Sequence, residues 1–133
     1  PYALATIERY AWQWASSEHG YKRAIELNPN LARAHNGYAL YLSIMGRHDD
    51  AIAEIKRARE LDPLSPLINL NVGTILYYAR RYDESIEASR RTLELDQNIA
   101  FAHVQLGLAY VAKAMYGVKP EGHPEKVLAA LPG

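Results

Sequence analysis

The chain repeats itself every 34 residues. Arg23-Ala24-Ile25-Glu26-Leu27-Asn28-Pro29 returns as Arg57-Ala58-Arg59-Glu60-Leu61-Asp62-Pro63, and more loosely as Arg91-Thr92-Leu93-Glu94-Leu95-Asp96-Gln97. Two periods apart, Ala34-His35 falls on Ala102-His103; Gly73 and Gly107 are one period apart, with Ala39 one earlier. A unit of this length cannot bury its own apolar face. It must stack on its neighbours, so the expected shape is an open array in which contacts run between adjacent units.

Each period reads as two helices. In residues 66–99, Ser65 suits a helix cap and Pro66 the first turn. Leu67, Leu70, Val72, Ile75 and Leu76 follow at helical spacing, and Arg80-Arg81 interrupts them. Asp83 suits the start of a second helix, with Ile86, Leu93 and Leu95 facing inward. The pairs Asn28-Pro29 and Asp62-Pro63 end the earlier units, because a residue before proline disfavours helix. Glycine within a helix costs about 1 kcal/mol against alanine, so Gly73 and Gly107 are expected where helices approach closely. Ser17, Ala51 and Ser85 fit as the facing surface. No strand-like alternation is visible.

These residues resemble the tetratricopeptide repeat (TPR) family. Leu106, Gly107 and Tyr110 match the family's first-helix pattern, and Val72, Gly73 and Leu76 match part of it. Ala51, Ile55, Ala58 and Pro63 match its second helix in full; Tyr21, Ala24 and Pro29 match most of it. His35, Asn69 and His103 depart from it where the family has an aromatic. The resemblance implies an all-α, right-handed superhelical solenoid of antiparallel helix pairs, about seven helices in all. The expected units are 1–31, 32–65, 66–99 and an incomplete 100–116, followed by an irregular tail over 117–133. Within that tail Val127–Leu131 are expected either to form a short helical turn over the open last helix, or to leave it to a second copy of the chain.

The search for chemistry is mostly negative. Fifteen basic and fifteen acidic residues give a formal net charge of 0, which supplies no basic surplus for phosphate contacts and no reason to expect a nucleic-acid or membrane partner. Cysteine is absent, which excludes disulfides and thiolate chemistry. His35 and His103 lie two units apart, too far to share a metal, and the other histidines show no ligand spacing. Asp49-Asp50 are adjacent on a helix and face apart, so they are read as partners of a helix N-terminus. Arg80-Arg81 and Arg90-Arg91 are offset by nearby carboxylates. No enzyme activity, cofactor or metal is expected, and a cytoplasmic location is.

The resemblance also implies a concave groove lined by the first helix of each unit. In this sequence the wall would hold Tyr2, Thr6 and Tyr10; Asn36, Leu40 and Ile44; Leu70, Thr74, Tyr77 and Tyr78; and Val104, Leu108 and Val111. The row is mainly apolar, as binding surfaces often are. The charged clamp with which some family members hold a carboxyl terminus has no counterpart in these residues. The expected function is a non-catalytic scaffold that binds an apolar peptide segment of a partner, as part of a larger protein such as a bacterial regulator. Two alternatives stand beside it: the row is filled by neighbouring helices or the tail, or the incomplete last unit makes the chain a homodimer.

Overall fold

The structure, a computed structural model, describes residues 2–117 and Pro132, apart from the side chains at positions 2, 3, 6, 7, 10 and 11. The expectations for Val127–Leu131 and for most of the tail lie outside the described residues. Six helices and no strand occur among them: α1 (Tyr2–Leu27), α2 (Ala32–Ile44), α3 (His48–Leu61), α4 (Pro66–Tyr78), α5 (Tyr82–Leu95) and α6 (Ala100–Tyr116). Each packs on the next in chain order, and α1 meets α2 alone. The fold is an all-α solenoid.

Both hairpins turn at the same place in the period. Gly46 and Arg80, 34 residues apart, have φ of 77° and 64°. Each takes the left-handed conformation that closes a helix: Arg47 N–H donates to Leu42 O at 2.9 Å, and Arg81 N–H to Leu76 O at 2.9 Å. The equivalent residues in the outer units are Trp12 and Ala114. At both places the helix runs straight on, whereas Arg80 takes the left-handed conformation despite its side chain. Thus α1 is one helix of 26 residues, and α6 has 17 where α2 and α4 have 13. This corrects the expected count of about seven helices: the first unit is not a hairpin.

Between units the turns are also alike. Asn30 N–H donates to Asn28 Oδ1 at 3.2 Å, and Asn98 N–H to Asp96 Oδ1 at 3.0 Å. Ser65 caps α4 by accepting from Ile68 N–H at 3.2 Å, with Pro66 in the first turn. Asp49 and Asp50 occupy the first turn of α3, where negative charge is favoured.

The core fills the space between α2, α3 and α4. Leu42, Ile55, Val72, Ile75 and Leu76 are buried against Ala39, Ala51 and Ala58. Ser85 Oγ donates to Gly73 O at 2.7 Å, so α4 and α5 meet through small residues as expected. A Cβ on Gly73 would sit 3.2 Å from Ser89 Oγ and closer still to Gln105 Nε2. Gly107 differs: a Cβ there would meet nothing within 4 Å, and the residue is exposed. No described helix lies where α5 lies against Gly73. For the same reason Leu106 and Tyr110 are only half-buried, although their counterparts Val72 and Leu76 are in the core.

Candidate functional site

The array curves so that α2, α4 and α6 face inward. These three helices adjoin one another in order, whereas α3 and α5 bring no pair of Cα atoms within 8 Å. Alternate helices that converge on one side and part on the other produce a concave wall on the convergent side.

Ten of the thirteen expected wall residues lie on these helices with described side chains. Ile44 and Tyr78 project furthest, at 79% and 62% exposure. Val104, Leu108 and Val111 are about half exposed, while Asn36, Leu40, Leu70, Thr74 and Tyr77 are half-buried. Tyr2, Thr6 and Tyr10 fall on the first half of α1, which runs straight into Leu27 rather than forming a separate helix beside α2. Their side chains lie outside the described residues.

Two hollows open on the wall. The first, about 290 Å³, lies between α1 and α2 and is lined by Trp14, Ser17, Tyr21, Gly37, Leu40, Tyr41, Ile44 and Met45. The second, about 320 Å³, lies between α2 and α4 and is lined by Leu40, Ser43, Ile44, Thr74 and Tyr78. Leu40 and Ile44 belong to both, so they form a ridge between them. Tyr21 anchors the first hollow: its ring centroid is 6.0 Å from that of Tyr38 and 6.1 Å from that of Tyr41. Trp14, Tyr21, Tyr41 and Met45 were absent from the expected wall. Trp14 and Tyr21 come from α1 and Tyr41 and Met45 from α2 and its C-terminal end, and the packing of these two helices brings them to one hollow.

Polar groups of the wall are mostly spent within it. Asn71 Nδ2 donates to Asn36 Oδ1 at 2.9 Å. Thr74 Oγ1 donates to Gln105 Oε1, and Gln105 Nε2 to Ser89 Oγ at 2.9 Å. Buried polar side chains satisfied in this way fix the helices without offering reactive groups.

Charge is gathered elsewhere. Glu18 on α1 accepts from Tyr38 Oη at 3.0 Å and from Arg47 at 2.7 Å. The Arg47 guanidinium, then the Tyr38 hydroxyl, hold the Glu18 carboxyl below its ordinary value. Burial, then the bond to Glu18, pushes the Tyr38 phenol up to about 12. On α5, Arg81 pairs with Glu84 at 2.6 Å and Arg91 with Glu94 at 3.1 Å; Arg90 stacks over Tyr110 at 5.5 Å. His35 and His103 bond to backbone carbonyls of Pro29 and Gln97. No cluster of three or more potential metal ligands occurs among the described residues, and no helix among them is long and apolar enough to cross a membrane.

Two family models, each described as a tetratricopeptide repeat, match residues 21–53 and 44–100. The chain belongs to the tetratricopeptide repeat family. Among solved structures this TPR chain is similar to MamA, with 22% identity and a TM-score of 0.70 over 93% of this chain and 68% of that one. It is also similar to the Arabidopsis OM64 TPR domain, with 22% identity and a TM-score of 0.68 over 78% and 86%. A third is YrrB, described as a TPR protein with an unusual peptide-binding site, with 22% identity and a TM-score of 0.65 over 77% and 53%. At these identities the likeness is one of fold. No curated protein sequence matches the chain. TPR repeats are packing units of interaction scaffolds, and the family membership gives this chain that general role.

Proposed function

We propose that the TPR array over residues 1–116 is a non-catalytic scaffold that holds a peptide segment of a partner protein against its concave wall. The observation that carries this reading is the wall itself. Ile44 and Tyr78 stand in solvent beside two hollows, and Val104, Leu108 and Val111 are about half exposed on α6, the next helix of the convergent set. A monomer gains nothing by exposing such a row, and interfaces favour it. The peptide-binding site named for YrrB is in keeping with this use of the fold. In this reading the array serves a larger polypeptide, such as a bacterial regulator, and the sequence flanking it in the full-length protein tests that part.

The test of binding is substitution on the wall. Leu108→Glu and Leu70→Glu are expected to abolish recovery of the partner while circular dichroism shows unchanged helicity. Recovery of the same partner by both variants would overturn the reading.

A second reading is self-association through α6. Gly107 is open where Gly73 is covered, and Phe101, Met115 and Tyr116 are exposed on the same helix. A second copy would bury this face. Sedimentation over a wide concentration range tests it, and a monomer throughout rejects it.

A further inference from the structure

We infer that the occupant of the groove is an uncharged, extended segment with two apolar side chains three residues apart, one seated on each side of the Leu40–Ile44 ridge. This rests on the groove reading and adds the chemistry of the ligand.

The two hollows flank a single helix, α2. Packed helices lie about 8–10 Å apart, so the hollows are separated by roughly that distance. A chain in polyproline II conformation advances about 3.1 Å per residue with three residues per turn. Its side chains at i and i+3 therefore share one face about 9 Å apart, and those between them turn away. A helical ligand would span the distance with i and i+7, but i+3 and i+4 would then lie on the same face. They would meet the ridge, where Ile44 is 79% exposed.

Neither hollow is lined by a charged side chain, in a chain where 30 of 133 residues are Lys, Arg, Asp or Glu (15 and 15). A charged ligand side chain would lose hydration there without gaining a counter-charge. Trp14, Tyr21 and Tyr41 suit a bulky apolar group in the first hollow. That hollow is particular to this place in the array. It depends on Gly37, where a Cβ would come within 2.7 Å of the Tyr21 ring. One period later the residue is Asn71, whose side-chain amide donates to Asn36 Oδ1.

A display library of random dodecapeptides, panned against the whole chain, tests the inference. Enriched sequences are remade as labelled free peptides and titrated by fluorescence anisotropy against the native chain, Trp14→Asp and Tyr78→Asp. Both side chains are about half exposed or more, so these variants keep the fold; Ile44→Ser, at the ridge, is the milder third. The expected result is enrichment of two apolar residues separated by two others. Each Asp variant, and serine at either apolar place in the peptide, then weakens binding at least ten-fold. Enrichment of charged residues at those places, a seven-residue spacing, or full affinity from one apolar residue overturns this inference and leaves the groove reading standing. No enrichment, or binding untouched by all three variants, overturns both.

Discussion

His35 and Asn69, one period apart, make the same bond. His35 Nε2 lies 2.7 Å from the carbonyl oxygen of Pro29, and Asn69 Nδ2 lies 3.0 Å from that of Pro63. His103 repeats it with Gln97 at 3.1 Å. Each donor reaches back six residues to tie a helix to the turn that precedes it. Asn69 also donates to Ser65 O at 2.8 Å, and the second His35 nitrogen lies 2.6 Å from Glu54 Oε2. Where the family has an aromatic, this chain has a polar clasp.

Asn69 is buried at 1% exposure, so Asn69→Leu leaves the Pro63 carbonyl without its donor, while the Ser65 carbonyl keeps the backbone N–H of residue 69. The expected loss is about 1–3 kcal/mol in urea unfolding. Asn69→His, which keeps one bond as His35 does, is expected to lose less. Equal losses would refute the clasp.

Gly73 and Gly107 answer differently to the same change. Gly73→Ala drives a Cβ onto Ser89 and Gln105 and is expected to cost about 1–3 kcal/mol. Gly107→Ala meets open space and is expected to gain up to about 1 kcal/mol from helix propensity. Thermal melts of the two variants side by side decide the matter.

The turn residues offer a third test. Gly46→Ala forces an alanine to a φ of 77° and is expected to cost about 1–2 kcal/mol. Trp12→Ala, on the straight helix and 71% exposed, is expected to leave the melting temperature nearly unchanged.

Acid is expected to loosen the α1 end first. Glu18 has its carboxyl held down in the fold, so its contribution is full above the ordinary value of 4.5 and is lost as pH falls through the lower folded-state value. Tyr38 acts in the opposite sense: its contribution is full below pH 10 and is lost as pH rises through about 12. Amide protection in residues 18–27, taken relative to the intrinsic exchange rate at each pH, is expected to fall below about pH 4.5 in the native chain. In Glu18→Gln that fall is absent.

The helices α2 to α5 were legible because repetition showed each of them more than once. The cap at Ser65 and the small-residue contact of Ser85 with Gly73 were equally plain, since propensity and packing agree there. The straight course of α1 was not anticipated. Trp12 stands where Gly46 makes the turn, but Arg80 turns at that same place with a side chain, so the residue there did not foretell it. Gly107 was misjudged for another reason. Whether a glycine is crowded depends on which helix lies opposite, and that is a property of the neighbour, not of the matching register. Trp14 and Tyr21 escaped notice as pocket residues because the expected wall was drawn from first helices alone, while the hollow lies between α1 and α2.

The lack of ionised groups around the ridge at Leu40 and Ile44 bears on the conditions under which a captive would stay bound. Electrolyte at 0.1 M confines charge attraction to about 10 Å and weakens assemblies built on it, while sulfate-like salts reinforce contact between oily surfaces. A complex formed on this ridge would survive a brine wash and loosen on ice.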